Sequence, residues 1–212
     1  MPDLTREFMT KIPRFQDKKA FIFTTMLSFS GDGALVALRG LRKKGYDVKQ
    51  AINIAMPNNV ILPYIFFRNF PHHTKEQKIE IREQASAMIA KLADKIITEQ
   101  NWQQGRDPIS VVGGLIQRVP MRFIGWSRFA KNFFVNKETC IECMQCVDYC
   151  PTENITYQDG KFSWGENCIL CLRCYNFCPV EAIQFKKATL DKDKFPRYKG
   201  PVEDFHPQKM LK

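Results

Sequence analysis

The sequence predicts an α/β domain built on a parallel sheet, followed by a small α+β domain that is rich in cysteine. Two observations predict this division. Between Lys18 and Pro57 the chain follows the order strand, loop, helix and strand, which is the order of a βαβ unit. All eight cysteines lie between Cys140 and Cys178, in two similar stretches of sequence. The chain has 212 residues, of which 44% are hydrophobic, so both domains can bury a core.

The amino-terminal elements follow one another closely. "KKAFIFTTM" is a buried-strand pattern, "SFSGDGALV" contains a loop with glycines, "ALVALRGLRKK" is a helix pattern that ends at Gly45, and "YDVKQAINIAM" is a second strand. A right-handed crossover makes the two strands parallel. Thr74 and Gln77 form a capping box for a helix predicted over residues 75–100. Its apolar residues fall mostly on one face, which is typical of a helix that covers a sheet.

The cysteines repeat one spacing twice, 28 residues apart. Each run reads C-x₂-C-x₂-C-x₃-C-P, the spacing that holds two iron–sulfur clusters in bacterial-type ferredoxins. In that arrangement the fourth cysteine of each run ligates the cluster of the other run. We therefore assign one [4Fe–4S] cluster to Cys140, Cys143, Cys146 and Cys178, and the other to Cys168, Cys171, Cys174 and Cys150.

Zinc sites and a disulfide framework are the alternative interpretations of the cysteines. Zinc prefers paired C-x₂-C knuckles that close one tetrahedral site each, whereas here every run is a triple with a distant fourth member. The amino terminus has no secretory-signal pattern, so we expect a cytoplasmic protein with reduced thiols. The longest apolar stretch, residues 109–126, is interrupted by Arg118, Pro120 and Arg122, and it predicts no transmembrane segment.

Short strands complete the cysteine-rich domain, which we predict over residues 136–187. "ITYQDGKFSW" alternates apolar and polar residues around Asp159-Gly160, a pattern that predicts a two-residue hairpin. The flanking segments "FFVN" and "AIQF" are predicted to pair as a second short hairpin. Many related ferredoxins have glycine after the second cysteine of each triple, where this chain has Met144 and Leu172.

Taken together, these features resemble fusions of a flavodoxin-like domain to a bacterial-type two-cluster ferredoxin, a family found largely in anaerobes. Besides the cysteine repeat, the segments "AFIFTTMLSFSGDG", "LRKKGYDV", "AMPNNVI" and "FPRYKG" carry the resemblance. It implies a partial flavodoxin-like parallel sheet with helices over residues 1–108 and a helical linker over 109–135. The ferredoxin domain over 136–187 and a basic carboxyl-terminal tail over 188–212 follow.

The resemblance also leads to a prediction about FMN binding. In that family the loop after such a strand lies against the flavin ring, and the corresponding positions here are Thr24, Thr25, Ser28, Gly31 and Gly33. An ordinary turn explains the same loop. The FMN phosphate is held by a Ser/Thr/Gly-rich loop at the start of the first helix, and no such loop precedes Lys18. We therefore expect little or no bound FMN. We also expect the exposed sheet edge to need a partner chain or a missing segment.

The segment over residues 109–135 mixes arginines with aromatic residues. We interpret it as a helix packed between the two domains that buries Phe123, Trp126, Phe129 and Phe133. An amphipathic helix lying on a membrane surface is the alternative.

The charge of the chain is unevenly distributed. Residues 136–187 contain five basic and seven acidic side chains, whereas the whole chain carries a formal charge of +10. The remainder of the chain is therefore strongly basic. Its lysines are dispersed and no zinc-finger or RNA-binding motif accompanies them, so we expect a solvated surface and no specific nucleic-acid partner.

These observations predict an electron-transfer protein that carries single electrons through two [4Fe–4S] clusters to or from a redox protein partner. The alternative is a flavin-dependent oxidoreductase, or a subunit of one, that couples FMN to the clusters. The absence of a phosphate loop favours the electron carrier. A third hypothesis, a nucleic-acid-associated iron–sulfur protein, would require binding that depends steeply on salt.

Overall fold

The computed structural model describes residues 3–63, 73–125, 127–202 and 204–210, which form two compact units. The first unit contains the described residues up to Pro57 together with those from His73 to Phe123. The second contains residues 58–63 together with those from Ile124 onward. The domain limits predicted at residues 108, 135 and 187 remain predictions.

The first unit is built on a small parallel sheet. After α1 (Asp3–Lys11), the predicted βαβ unit consists of β1 (Lys18–Met26), α2 (Gly33–Arg42) and β2 (Tyr46–Ala55). The strands β1 and β2 are parallel, and β3 (Trp102–Gln103) adds to β2 in parallel, so the order is β1-β2-β3. The predicted parallel sheet is therefore confirmed.

The long helix α3 (Lys75–Ile97) begins at the predicted capping box. The Gln77 backbone N–H donates to Thr74 Oγ1 at 3.3 Å, and the Thr74 backbone N–H donates to Gln77 Oε1 at 2.9 Å. Each bond satisfies a donor that the first turn of a helix leaves without an intrahelical partner. The predicted start is confirmed, and the helix ends at Ile97, a few residues before the predicted end.

Helices cover both faces of the sheet because side chains alternate along each strand. The buried residues on the α2 side are Ala34, Leu35, Leu38, Leu41, Val48 and Ala51. The buried residues on the α3 side are Ile52, Ile54, Ala85 and Leu92. Two separate apolar layers therefore stabilise this unit, and neither contains a cysteine.

The strand β1 lies at an edge of the described sheet, and one of its faces is uncovered. Phe21 and Phe23 are 50% and 53% exposed, whereas Ile22 between them packs against the α2 layer. An open strand edge beside exposed aromatic residues agrees with the expectation of an incomplete sheet. The partner chain or additional segment expected there remains a prediction.

The helix α4 (Pro108–Ile124) packs closely against the "SFSGDG" loop. Gly31 in this loop has a φ of +57°, and a Cβ built on it would lie 2.6 Å from Gly114 Cα. The next residue, Asp32, is 1% exposed and forms an ion pair with Arg118 of α4. The chain's own helix therefore covers this part of the loop.

We expect Gly114→Ala to destabilise the first unit by about 1–2 kcal/mol, because overpacking outweighs the helix propensity of alanine. The added Cβ would lie 2.1 Å from Asp32 Oδ1, and the buried carboxylate has little room to move. Gly113→Ala is the matched control: its Cβ meets Phe29 Cε1 at 2.6 Å, in a ring that is 44% exposed and can turn aside. Urea unfolding of both variants measures the difference, and an equal loss in both would contradict this account.

The aromatic residues predicted to be buried by the linker helix differ in their surroundings. Phe133 is buried and Phe129 is half-buried, both within the second unit. Phe123 is 79% exposed, so the expectation that it is buried is wrong. It lies near the carboxyl-terminal end of α4, more than two turns beyond the glycine contact at Gly114. Trp126 lies outside the described residues.

Within the described residues, none of the helices combines the length and the apolarity needed to cross a membrane.

The second unit contains both predicted strand pairs. β4 (Phe133–Val135) pairs with β7 (Ile183–Phe185), and β5 (Ile155–Gln158) pairs with β6 (Lys161–Trp164), all antiparallel. The Asp159-Gly160 turn joins β5 and β6, with φ values of 49° and 71°. Two consecutive left-handed residues are typical of the two-residue turn that suits the twist of a hairpin.

The core of the second unit includes cysteine side chains. Its buried members are Leu62, Phe133, Cys146, Ile155, Leu172, Cys174, Tyr175, Ile183 and Phe185. Leu62 comes from the 58–63 segment, far from the cysteines in sequence, and Asn176 Nδ2 donates to the Asn59 carbonyl at 3.3 Å in the same region. Two residues of the predicted carboxyl-terminal tail, Thr189 and Arg197, are also buried. The unit therefore extends beyond the cysteine-rich stretch at both ends.

Candidate metal centre

The two cysteine triples adopt the same local backbone. Each triple ends in a four-residue helix, α5 (Gln145–Asp148) or α6 (Arg173–Asn176), which carries the third cysteine. The residue before each of these helices, Met144 or Leu172, has a φ of 58° or 60°. A left-handed conformation at a residue other than glycine is uncommon and strained. These are the two positions where related ferredoxins have glycine, so the expected loop forms here without it.

A cavity surrounds the second triple. Four cysteines line it: Cys150, Cys168, Cys171 and Cys174. Three of these thiols belong to the second run and Cys150 belongs to the first. The fold therefore brings together the four residues that the crossed assignment groups into one ligand set.

The first triple is likewise influenced by a cysteine of the second run. The pKa of the Cys146 thiol is raised to about 12, chiefly by burial, with smaller contributions from the neighbouring thiols of Cys178 and then Cys143. Cys178 thus has the larger electrostatic effect on Cys146, although it lies in the other run. Burial also raises the pKa of Cys174, the equivalent residue of the second triple. Such thiols hold their protons until a metal displaces them, so metal binding at this site releases protons.

Backbone N–H groups donate to the fourth cysteine of each run. The Asn154 N–H lies 3.2 Å from Cys150 Sγ, and the Ala182 N–H lies 3.2 Å from Cys178 Sγ. The donors are 28 residues apart, as are the acceptors, so the repeat extends to the hydrogen bonds. An N–H donor stabilises a thiolate relative to a thiol. These bonds prepare both sulfur atoms to ligate a metal.

Two further N–H donors lie on the wall of the cavity, and both atoms are buried. The Trp164 indole N–H acts on the Cys174 thiol and lowers its pKa against the larger effect of burial, whereas the Asn154 side-chain Nδ2 has no hydrogen-bond partner among the described residues. The Asn154 amide is oriented by its oxygen, which accepts from the Asn167 N–H at 2.6 Å. A buried donor without an acceptor costs about 1–3 kcal/mol. The sulfur atoms of an anionic iron–sulfur cluster would supply such acceptors, so the residues present fit this group.

Among the residues that the structure describes, no three or more His, Cys, Asp or Glu side chains converge on a position for a single metal ion. All eight cysteines are free thiols, none of them in a disulfide.

Comparison with known families agrees with this geometry. Residues 133–156 and 165–184 match the 4Fe-4S binding domain family. The chain contains a 4Fe-4S ferredoxin-type domain. The two matched segments of this ferredoxin domain each contain one cysteine run, which is consistent with two clusters. The match favours iron–sulfur ligation over the zinc and disulfide interpretations. No curated protein and no solved structure matches the chain at a significant level.

The family match does not extend to the amino-terminal half, so the flavodoxin-like resemblance remains a prediction and FMN gains no support. Of the five positions that would face a flavin ring, Thr25 and Ser28 are exposed and Gly33 is half-buried at the start of α2. Thr24 donates its hydroxyl to Asn53 Oδ1 at 2.7 Å, and Gly31 is buried against α4. The structure thus gives two of these residues contacts within the chain.

Sequence reasoning missed three residues around the ferredoxin site: Asn154, Trp164 and Arg197. A signal for the first was present, because the repeated segments "CPTENI" and "CPVEAI" differ where Asn154 faces Ala182 in the alignment. The Asn154 side chain therefore has no counterpart in the other half-site. Arg197 lies in "FPRYKG", a segment that supported the resemblance without being given a role, and Trp164 lies in the predicted hairpin.

Proposed function

We propose that the chain is an electron carrier in which two [4Fe–4S] clusters pass single electrons to or from a redox protein partner. The ligand sets are those assigned from the sequence: Cys140, Cys143, Cys146 and Cys178 for the first cluster, and Cys168, Cys171, Cys174 and Cys150 for the second. The observation that carries the proposal is the cavity lined by Cys150 together with the second triple. Reduced thiols of this kind persist in the cytoplasm, where we place the protein.

The clusters would supply one-electron redox chemistry. The polypeptide controls the access of water and of a redox partner to them. Burial of Cys146 and Cys174 keeps water from one side of each ligand set. Cys143 and Cys171 are exposed, which provides a short route to the surface from each set. Backbone N–H groups at Cys150 and Cys178 stabilise negative charge on sulfur. Electrons can therefore enter or leave at the exposed side without the clusters being fully solvated.

A groove beside Cys140 offers a surface for the partner. It is lined by Lys131, Lys137 and Lys161 and by one carboxylate, Glu142, and aromatic residues form part of its wall. The three cations outnumber the carboxylate, so the groove would attract a negatively charged partner surface and would orient it toward the first ligand set.

Anaerobic purification followed by elemental analysis tests the proposal. We expect about eight iron and about eight sulfide per chain, with little or no flavin, and one-electron reduction of both centres. The absorption and EPR spectra should be those of [4Fe–4S] clusters. Zinc in place of iron, after strictly anaerobic preparation, would overturn the proposed function. Stoichiometric FMN would favour the flavin-dependent alternative instead.

A further inference from the structure

Arg197 is a buried cation in the unit that carries the cysteines. Its side chain is 8% exposed, although it lies in the segment predicted to be a tail. Nη2 donates to the Ile183 carbonyl at 2.8 Å and to Gln184 Oε1 at 3.0 Å. The guanidinium carbon lies 3.3 Å from the centre of the Tyr175 ring. The fold thus holds this cation in one place by hydrogen bonds and by a cation–π contact.

The contacts of Arg197 do not include a carboxylate. Its acceptors are neutral, and its Nε and Nη1 atoms have no hydrogen-bond partner among the described residues. The carboxylate of Glu181 acts on Arg197 electrostatically, but the bond it makes is an ion pair with Lys192 at 3.2 Å. An isolated charge is costly to bury, so buried cations are normally paired with an anion. Among the described residues, no carboxylate is hydrogen-bonded to the Arg197 guanidinium.

Arg197 contacts residues that adjoin a ligand of each set. Its guanidinium lies over the ring of Tyr175, which follows Cys174, and it donates to the carbonyl of Ile183, which follows the residue whose N–H donates to Cys178 Sγ. Burial lowers the pKa of this guanidinium, whereas the nearby Tyr175, Glu181, Cys178 and Cys174 side chains act in the opposite direction. Cys178 belongs to the first assigned set and Cys174 to the second. A [4Fe–4S] cluster with four thiolates carries a net negative charge, which increases by one unit on reduction. Each ligand set would therefore hold the kind of anion that Arg197 lacks.

We propose that Arg197 is the internal counter-charge of the clusters and that it raises their reduction potentials. This inference rests on the proposed function. A fixed positive charge in a poorly solvated interior stabilises the reduced cluster more than the oxidised one, because the reduced form is more negative. Arg197 is thus a positioning and tuning residue that need not touch the iron.

Redox titration of the iron-loaded full chain, followed by EPR, tests this role. Arg197→Met removes the charge but keeps an apolar stem over Tyr175, and Arg197→Gln keeps a donor for the Ile183 carbonyl. We expect either variant to disfavour reduction by about tenfold, which corresponds to a potential about 59 mV lower for one electron. Arg197→Lys should remain closer to the wild type. Lys187→Gln removes an exposed cation of the same unit and should change the equilibrium by less than about twofold.

The outcomes separate this inference from the proposed function. If the wild-type chain lacks iron, the proposed function fails. If the neutral variants bind full iron with unchanged potentials, the counter-charge role is overturned and the proposed function stands. If the neutral variants do not retain iron, the iron content of Arg197→Lys distinguishes the explanations. Iron retained by the lysine variant alone supports a requirement for positive charge. Loss of iron in all three variants overturns the counter-charge role.

Discussion

Replacing Cys178 by alanine is expected to lose or damage the cluster that the first triple holds, although Cys178 belongs to the second run. In the assigned ligand sets it provides the fourth thiolate beside Cys140, Cys143 and Cys146. Its electrostatic effect on the buried Cys146 thiol agrees with this placement. The iron content should fall by up to about four atoms per chain, while the other cluster keeps its spectrum.

Two reference variants identify the damaged cluster. Cys143→Ala removes a ligand of the first triple and Cys171→Ala removes a ligand of the second. The EPR spectrum of Cys178→Ala should match that of Cys143→Ala, and the spectrum of Cys150→Ala should match that of Cys171→Ala. The reverse correspondence would show that each run ligates a cluster of its own, and the crossed assignment would then be abandoned.

Removal of iron from the full chain is expected to unfold the second unit and to leave the first unit folded. The core of the second unit includes Cys146 and Cys174 among its buried members, so the proposed clusters would link its two halves. Metal binding in such a small domain provides much of its folding free energy. The two apolar layers of the first unit contain no cysteine among their buried members. Their stability should therefore not depend on iron.

Hydrogen exchange before and after anaerobic chelation measures this difference strand by strand. Protection should disappear in β4 to β7 and persist in β1 and β2. The wild-type chain after iron reconstitution is the control, and protection should return there. If β5 and β6 stayed protected without iron, the second unit would be stabilised by its apolar contacts alone and the expected dependence would be wrong.

Local patterns in the sequence were sufficient to predict several elements of both units. The hairpin around Asp159-Gly160 is one case, because a two-residue turn depends on the residues within it. The capping box at Thr74 and the parallel strands β1 and β2 are further cases. Each of these predictions rests on neighbouring residues or on a short crossover, so little information from the rest of the chain was needed.

Other features depend on contacts between distant residues, which sequence patterns do not predict. Phe123 was expected to be buried because it lies in an aromatic segment, yet it is exposed. Burial depends on which surface faces the residue, and an aromatic composition predicts only that some surface is favourable. The role of Gly114 could not be predicted either, since its close contact is with Asp32, more than eighty residues earlier.

By itself the sequence determined which cysteines are the candidate ligands and how they divide into two runs, because a ligand loop is a short-range structure set by its spacing. Only the tertiary structure decided what surrounds those ligands. Trp164 and Arg197 reach the site from a strand and from the carboxyl-terminal segment, and Leu62 reaches the core from a segment far upstream. Burial of apolar surface brings these distant segments together. The N–H donors and the buried cation near the ligands are therefore consequences of packing, whereas the ligands themselves follow from the order of residues along the chain.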